Sequence, residues 1–109
     1  GRNRHHFEYW TDINPATKKY EPVEMPLRYV KEMFCDRVAA SKIYKGDAYT
    51  DACPLEYFLH SQARDNMHPK TARLLRRWLT MLAEQGEAKT FAHIRQIRHV
   101  RYGNTPGKE

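Results

Sequence analysis

Three segments of the chain combine helical spacing of apolar residues with proline in the first turn. The first extends from about Pro26 to Lys45 and is followed by Gly46, and the third extends from Pro69 to Gly86. The second begins around Pro54. Proline is favoured in the first turn of a helix, and glycine is favoured at the residue just past its end. The two residues therefore indicate where helices begin and end. A fourth helix is predicted from about Glu87 to Val100.

The apolar faces indicate how these helices pack. In the first helix they are Leu27, Val30, Phe34 and Val38, widened by Tyr29, Met33, Ala40 and Ile43 to over half the circumference, which predicts a central helix. The apolar face of the second helix consists of Leu55, Phe58, Leu59 and Gln62. That of the third consists of Leu74, Leu75, Trp78, Leu79 and Leu82, and that of the fourth of Phe91, Ile94 and Ile97. Residues 12–15 are predicted as a turn and 18–22 as a linker. Nothing predicts a strand, so we expect one all-α domain of about four helices over residues 1–101, with a frayed tail over 102–109.

Composition narrows the class of protein. The chain has 19 Lys and Arg against 13 Asp and Glu, a net charge of +6 that attracts anions. No apolar run approaches the roughly 18–20 residues of a membrane helix, so we expect no membrane partner. Cys35 and Cys53 are predicted to be reduced thiols of a cytoplasmic protein, Cys35 inert in the core. Because the chain begins at Gly1 and not at methionine, we expect it to be part of a longer protein.

The first candidate site lies near the start of the sequence. His5 and His6 are adjacent, and Glu8 follows two residues later within an unusually aromatic stretch. Imidazole and carboxylate groups are good ligands for Zn²⁺, Mn²⁺, Fe²⁺ or Co²⁺. Since adjacent histidines on a helix point about 100° apart, both rarely bind one ion. The alternative is a pair of ordinary surface or capping histidines.

A second candidate is Asp36-Arg37 in the middle of the first helix, where a charge against the core should be paired, bound to metal or shifted in pKa. Asp36 would ligate a metal, while Arg37 would hold an anion or orient a carboxylate. The alternative is a buried ion pair with a residue such as Asp51, Glu56 or Arg64. His68, before Pro69, is expected near a helix start.

A third feature is basic density on the third predicted helix. The predicted solvent-facing side of this helix carries Lys70, Arg73, Arg76 and Arg77. Such a face could bind nucleic acid phosphates, because Lys and Arg release counterions on contact. A solvated surface is the alternative, and no RNA-reading aromatic motif accompanies these residues.

Several motifs together resemble an uncharacterised family of small bacterial and phage proteins, a domain of unknown function. They are the stretches 3–10 (NRHHFEYW), 25–26 (MP), 32–41 (EMFCDRVAAS), 49–52 (YTDA) and 81–83 (MLA). The resemblance extends to about Arg95. Some relatives carry a catalase label, but no haem-ligand pattern here supports it.

Full-length members of that family have an upstream half with a histidine, a His-Asp pair and a further His-His stretch. The order of these residues along the full-length sequence is similar to the order of the metal ligands in HD-domain phosphohydrolases. Those proteins are all-α enzymes that hydrolyse phosphate esters with one or two metals. The resemblance implies that His5 or His6 is a later ligand and Asp36 the final one. This chain has no His-Asp dipeptide, so it holds at most part of such a site.

The sequence therefore predicts the C-terminal part of an HD-like, metal-dependent phosphohydrolase. Its substrate would be a nucleotide or another phosphorylated small molecule. Assembly of the chain into a homo-oligomer is compatible with this prediction. His5, His6 and Asp36 are the expected ligands of a divalent metal. Glu8 is a weaker candidate, either for a group that supports the metal ligands or for a general base. Arg37 and Lys42 are candidates for binding phosphate or for orienting Asp36. The competing functions are a non-enzymatic basic module that binds nucleic acid or a protein, and a scaffold in which His5, His6 and Asp36 form a hydrogen-bond network.

Overall fold

The computed structural model describes residues 4, 6, 7, 10–14, 16 and 19–98, and for 13, 14, 19, 20, 63 and 64 the backbone alone. Four main helices carry the fold, and a one-turn helix joins the second to the third, which confirms the all-α class. The helices are α1 (Leu27–Lys45), α2 (Cys53–His60), the short α3 (Ala63–Asn66), α4 (Pro69–Gln85) and α5 (Glu87–Gln96).

The predicted helix boundaries are confirmed at their proline and glycine signals. Pro26 is the residue before α1, and Gly46 follows its last turn with φ 55°. Gly86 separates α4 from α5 with φ 87°, a conformation that L side chains rarely adopt. His68 lies just before α4, near a helix start as predicted, and caps the helix: its Nδ1 accepts a hydrogen bond from the backbone N–H of Lys70 at 3.1 Å.

The structure corrects the N-terminal part of the prediction. A two-stranded antiparallel hairpin, β1 (Thr11–Asn14) and β2 (Lys19–Pro22), replaces the predicted turn and linker. Thr11 pairs with Pro22 and Asn14 with Lys19. The strand sequences TDIN and KYEP do not show the alternation of apolar and polar residues by which strands are recognised in a sequence.

The core lies among α1, α2, α4 and α5. Trp78 of α4 is fully buried, and its ring meets Phe34 of α1 edge-on at 5.9 Å between centroids. Phe34 also contacts Phe91 of α5 at 5.5 Å. The segment before α1 is tied to the core by the N–H of Met25, which donates to the buried Thr71 hydroxyl at 3.2 Å.

Three further predictions are wrong, two about burial and one about the end of a helix. Ala40 is exposed and Ile43 is 85% exposed, so the apolar face of α1 is buried only along its first three turns. Gln62 is exposed just beyond α2. The fourth helix ends at Gln96, although the predicted inward residue Ile97 is buried. The predicted tail over 102–109 lies outside the described residues.

Among the residues that the structure describes, no helix has the length and apolar character needed to cross a lipid bilayer.

Candidate functional site

Trp10 fixes the path of the N-terminal residues along α1. Its indole N–H donates to the Arg4 carbonyl at 2.6 Å, and its backbone N–H donates to the Phe7 carbonyl at 3.0 Å. Its ring lies 5.5 Å from the ring of Tyr29 on α1. The Trp10 carbonyl accepts from the Val23 N–H at 2.6 Å, close to the end of β2. Arg4, Phe7 and Trp10 are therefore tied together by hydrogen bonds, and the Trp10 ring holds them near Tyr29 of α1.

This path brings His6 beside Asp36, two of the three predicted metal ligands. The His6 Nε2 lies 3.8 Å from the Asp36 Oδ2, although 30 positions separate them in the sequence. The His6 side chain is 43% exposed and the Asp36 side chain 60% exposed. Asp36 is therefore too exposed to form the buried ion pair that was the alternative to metal binding. His5 and Glu8 lie outside the described residues.

The His6–Asp36 distance is compatible with a shared metal ion. Zn²⁺ lies about 2.0–2.2 Å from histidine nitrogen or carboxylate oxygen, so two ligand atoms of one ion are at most about 4.3 Å apart. The observed 3.8 Å fits within that limit and is too long for a hydrogen bond. Nevertheless, no group of three His, Cys, Asp or Glu residues suited to a metal is found among the described residues. The described part of the chain therefore supplies two ligands and not a full set.

Cys35 is next to Asp36 on α1 and is exposed, so its predicted core position is wrong. Partial burial of the thiol nevertheless raises the pKa of Cys35, and the nearby Glu32 carboxylate acts in the same direction. A thiol must lose its proton to bind a metal. A metal bound by Cys35 would therefore have to displace the proton of this thiol.

Arg37 lies at the contact between α1 and α2. It is half-buried, and its guanidinium carbon is 5.6 Å from the centroid of the Phe58 ring. The sequence placed this residue within the apolar face of α1, which is confirmed by its position over a buried aromatic ring. A cation over an aromatic face is a stabilising arrangement in the absence of any ligand.

Lys42 lies six residues beyond Asp36, about 9 Å along the helix axis. Its Nζ forms an ion pair with the Glu87 carboxylate at 2.6 Å and lies 5.6 Å from the Tyr49 ring centroid. Both partners of the ion pair are partly exposed, so it contributes only about 0–1 kcal/mol. A phosphate bound by Lys42 would have to compete with Glu87.

The basic residues of the alternative function lie along one side of α4. Arg73, Arg76 and Arg77 are exposed and Lys70 is half-buried. At 100° per residue these four positions span about 120° of the helix circumference. They form a basic strip separate from the His6–Asp36 pair on α1.

Sequence reasoning missed a cluster at the first turn of α1, which we call the Tyr29 cluster and define as Arg4, Arg28 and Tyr29. The Tyr29 hydroxyl accepts hydrogen bonds from Arg28 Nη2 at 2.6 Å and from Arg4 Nη1 at 3.4 Å. These two bonds lower the pKa of Tyr29. A weak signal was present in the sequence, because Arg28 occupies a first helical turn where acidic residues are favoured.

Comparison with known proteins gives a family but no function. A model of a family of unknown function, DUF5662, matches residues 1–81 of the 109. Neither the search of curated proteins nor the search of solved structures found a significant match. The family match includes the N-terminal segment, α1, α2 and most of α4. The chain therefore belongs to DUF5662, a family of unknown function.

Proposed function

We propose that this chain contributes His6 and Asp36 to a divalent metal site of a phosphohydrolase acting on a nucleotide or another phosphorylated small molecule. One observation carries the proposal: the 3.8 Å approach of His6 Nε2 to Asp36 Oδ2. Both were expected to be metal ligands from the sequence, and α1 and the N-terminal segment bring them together. A bound divalent cation would activate water and neutralise phosphate charge.

The roles of the residues follow from their chemistry. His6 offers a lone pair on Nε2 when it is neutral, with its proton on Nδ1, and Asp36 offers an anionic oxygen. Both side chains are partly open to solvent, so substrate and water can reach them. His5 remains the candidate for a further ligand, and Glu8 the weaker candidate for general base. Arg37, next to Asp36 on α1, is the candidate for a positioning residue, while Lys42 has no role while paired with Glu87.

The experiment is a phosphate-release assay with Mn²⁺, Zn²⁺ or Co²⁺, using p-nitrophenyl phosphate and nucleoside monophosphates. With His6 and Asp36 from one copy of the chain and the remaining ligands from His5 or from a second copy, we expect metal-dependent hydrolysis by the wild type. Changes around metal ligands already cost about 10–100-fold, so Asp36→Asn should lower the rate by at least that factor. Asp47→Asn is the matched control, because Asp47 is an exposed acid just beyond α1. Hydrolysis that is absent with every metal, or equal in Asp36→Asn and wild type, would contradict the proposal.

A second candidate is nucleic-acid binding by the basic strip on α4. It is supported by the exposure of Arg73, Arg76 and Arg77 on one helix side. The double variant Arg76→Ala/Arg77→Ala separates the two candidates. It should leave hydrolysis unchanged if the metal site is the functional site. If the strip binds nucleic acid, the same variant weakens that binding and flattens its salt dependence.

A further inference from the structure

Apolar side chains remain exposed on the last two turns of α1. Ala40 is exposed, Ile43 is 85% exposed and Tyr44 is 83% exposed. Because Ile43 and Tyr44 follow Ala40 by three and four residues, all three lie on one side of the helix. In α2, Tyr57 is 65% exposed. We call Ile43, Tyr44 and Tyr57 the α1–α2 patch.

The two parts of this patch border the same contact between helices. Arg37 lies about two turns before Tyr44, on the same side of α1. Its guanidinium carbon lies 5.6 Å from the ring centroid of Phe58, the residue that follows Tyr57 in α2. The chain passes from α1 to α2 through residues 46–52 alone. The patch therefore combines neighbouring parts of the two helices.

The patch has the composition of a protein interface. A group of exposed apolar side chains, unlike a single one, indicates a surface that binds another molecule. Tyrosine is enriched at the centre of interfaces, because its ring buries a large apolar area while its hydroxyl can still hydrogen bond. Ile43 and Tyr44 also belong to a helix of 19 residues, so no loop has to become ordered on binding.

Opposite charges accompany the two parts of the patch. Lys45 follows Tyr44 in α1, Glu56 precedes Tyr57 in α2, and both charged side chains are exposed. Within the described part of the chain, neither side chain forms an ion pair or a hydrogen bond. The patch therefore has one basic edge and one acidic edge.

We infer that the α1–α2 patch is the contact between two copies of this chain related by a two-fold axis. In such a contact, a residue that meets a second residue of the partner is itself met by the same pair in reverse. Lys45 then pairs with the partner's Glu56, Glu56 with the partner's Lys45, and Tyr44 packs against the partner's Tyr57. A surface that carries both signs of charge complements a second copy of itself, whereas a strongly charged partner would require one sign.

The patch forms the centre of this contact and not the whole of it. A stable interface buries about 800 Å² on each partner, which is more than three side chains provide. The exposed segment Gly46–Ala48, between the two helices, would form part of the polar rim. We therefore expect a dimer in reversible equilibrium with the monomer.

The test is sedimentation equilibrium of the full chain at about 1 to 200 µM, without added metal, so that its outcome is separate from that of the hydrolysis assay. We expect the wild type to dimerise and Ile43→Ser to weaken the dimer at least about tenfold. Since Ile43 is exposed, this change should leave the helical circular dichroism unaltered. Lys89→Glu, which reverses an exposed charge on α5, is the matched control and should change the affinity by less than about twofold.

A charge swap tests the pairing of the two edges. Lys45→Glu and Glu56→Lys each place like charges opposite one another twice in the dimer, so each should weaken it at least about fivefold. The double variant Lys45→Glu/Glu56→Lys restores opposite charges and should return the affinity to within about threefold of wild type. Reversals with no more effect than Lys89→Glu, or a double variant as weak as the single ones, would overturn the pairing. A wild type that stays monomeric throughout this range would overturn the inference and assign the patch to a different protein.

Discussion

At the scale of single residues, two tyrosines have opposite electrostatic surroundings. Hydrogen bonds from Arg4 and Arg28 lower the pKa of Tyr29 from its ordinary value of 10.0. Burial, together with the negative charges of Asp51 and Glu87, raises the pKa of Tyr49 to about 12. Neither shift could be predicted from the sequence, because each depends on which charged groups the fold brings to the ring.

These shifts have opposite effects on stability at alkaline pH. As pH rises above 10, the unfolded chain ionises at Tyr49 before the folded chain does. The contribution of Tyr49 is therefore complete below pH 10 and is lost between pH 10 and about 12. The contribution of Tyr29 is present above pH 10.0 and is lost as pH falls through its lower folded pKa.

A spectrophotometric tyrosine titration of the folded protein checks both assignments. Tyr29→Phe should remove a step below pH 10 from the curve, and Tyr49→Phe should remove a step near pH 12. Both variants keep the aromatic ring and so its packing. If the two variants remove the same step, the assignment of opposite surroundings is wrong.

At the scale of elements, the helices could be predicted from the sequence because their signals are local. Pro26 and Gly46 delimit α1, and Pro69 and Gly86 delimit α4, in the positions that backbone conformation demands. The hairpin could not be predicted in this way, because its strand sequences TDIN and KYEP do not alternate apolar and polar residues. The exposure of Ile43 could not be predicted either. The apolar face of a helix shows which of its residues can be buried, but not how far the neighbouring helices extend along that face.

Gly86 gives the sharpest prediction at this scale. It connects α4 to α5 with φ 87° and ψ 174°, a region open almost only to glycine. A Cβ there would lie 3.7 Å from the Asp51 carboxylate, an ordinary contact, so the cost of Gly86→Ala is a backbone cost. We expect Gly86→Ala to lower the free energy of unfolding by about 1–3 kcal/mol.

Urea denaturation measures this loss. Gln85→Ala, the preceding exposed helical position, serves as control and should change stability by no more than about 0.5 kcal/mol. A Gly86→Ala protein as stable as the Gln85→Ala protein would show that the α4–α5 junction adopts another conformation.

At the scale of the whole molecule, the N-terminal segment contacts α1 at two points. Arg4 meets Tyr29 and His6 meets Asp36, so two residues of the segment contact α1 at points two turns apart. The residue types of the proposed metal site could be predicted from the sequence, but the approach of His6 to Asp36 depends on the three-dimensional path set by Trp10. The Tyr29 cluster was missed because Arg4 reaches Tyr29 from 25 positions away in the sequence.

The most direct test of the central claim is thermal unfolding with and without Zn²⁺, Mn²⁺ or Co²⁺. A ligand that binds the folded state raises the melting temperature by mass action. We predict stabilisation of the wild type that is lost in His6→Ala and in Asp36→Ala, with no further loss in the double variant. His60→Ala, which changes an exposed histidine on α2, should keep the full shift. No shift with any metal, or an equal shift in His6→Ala and wild type, would contradict a metal site at His6 and Asp36.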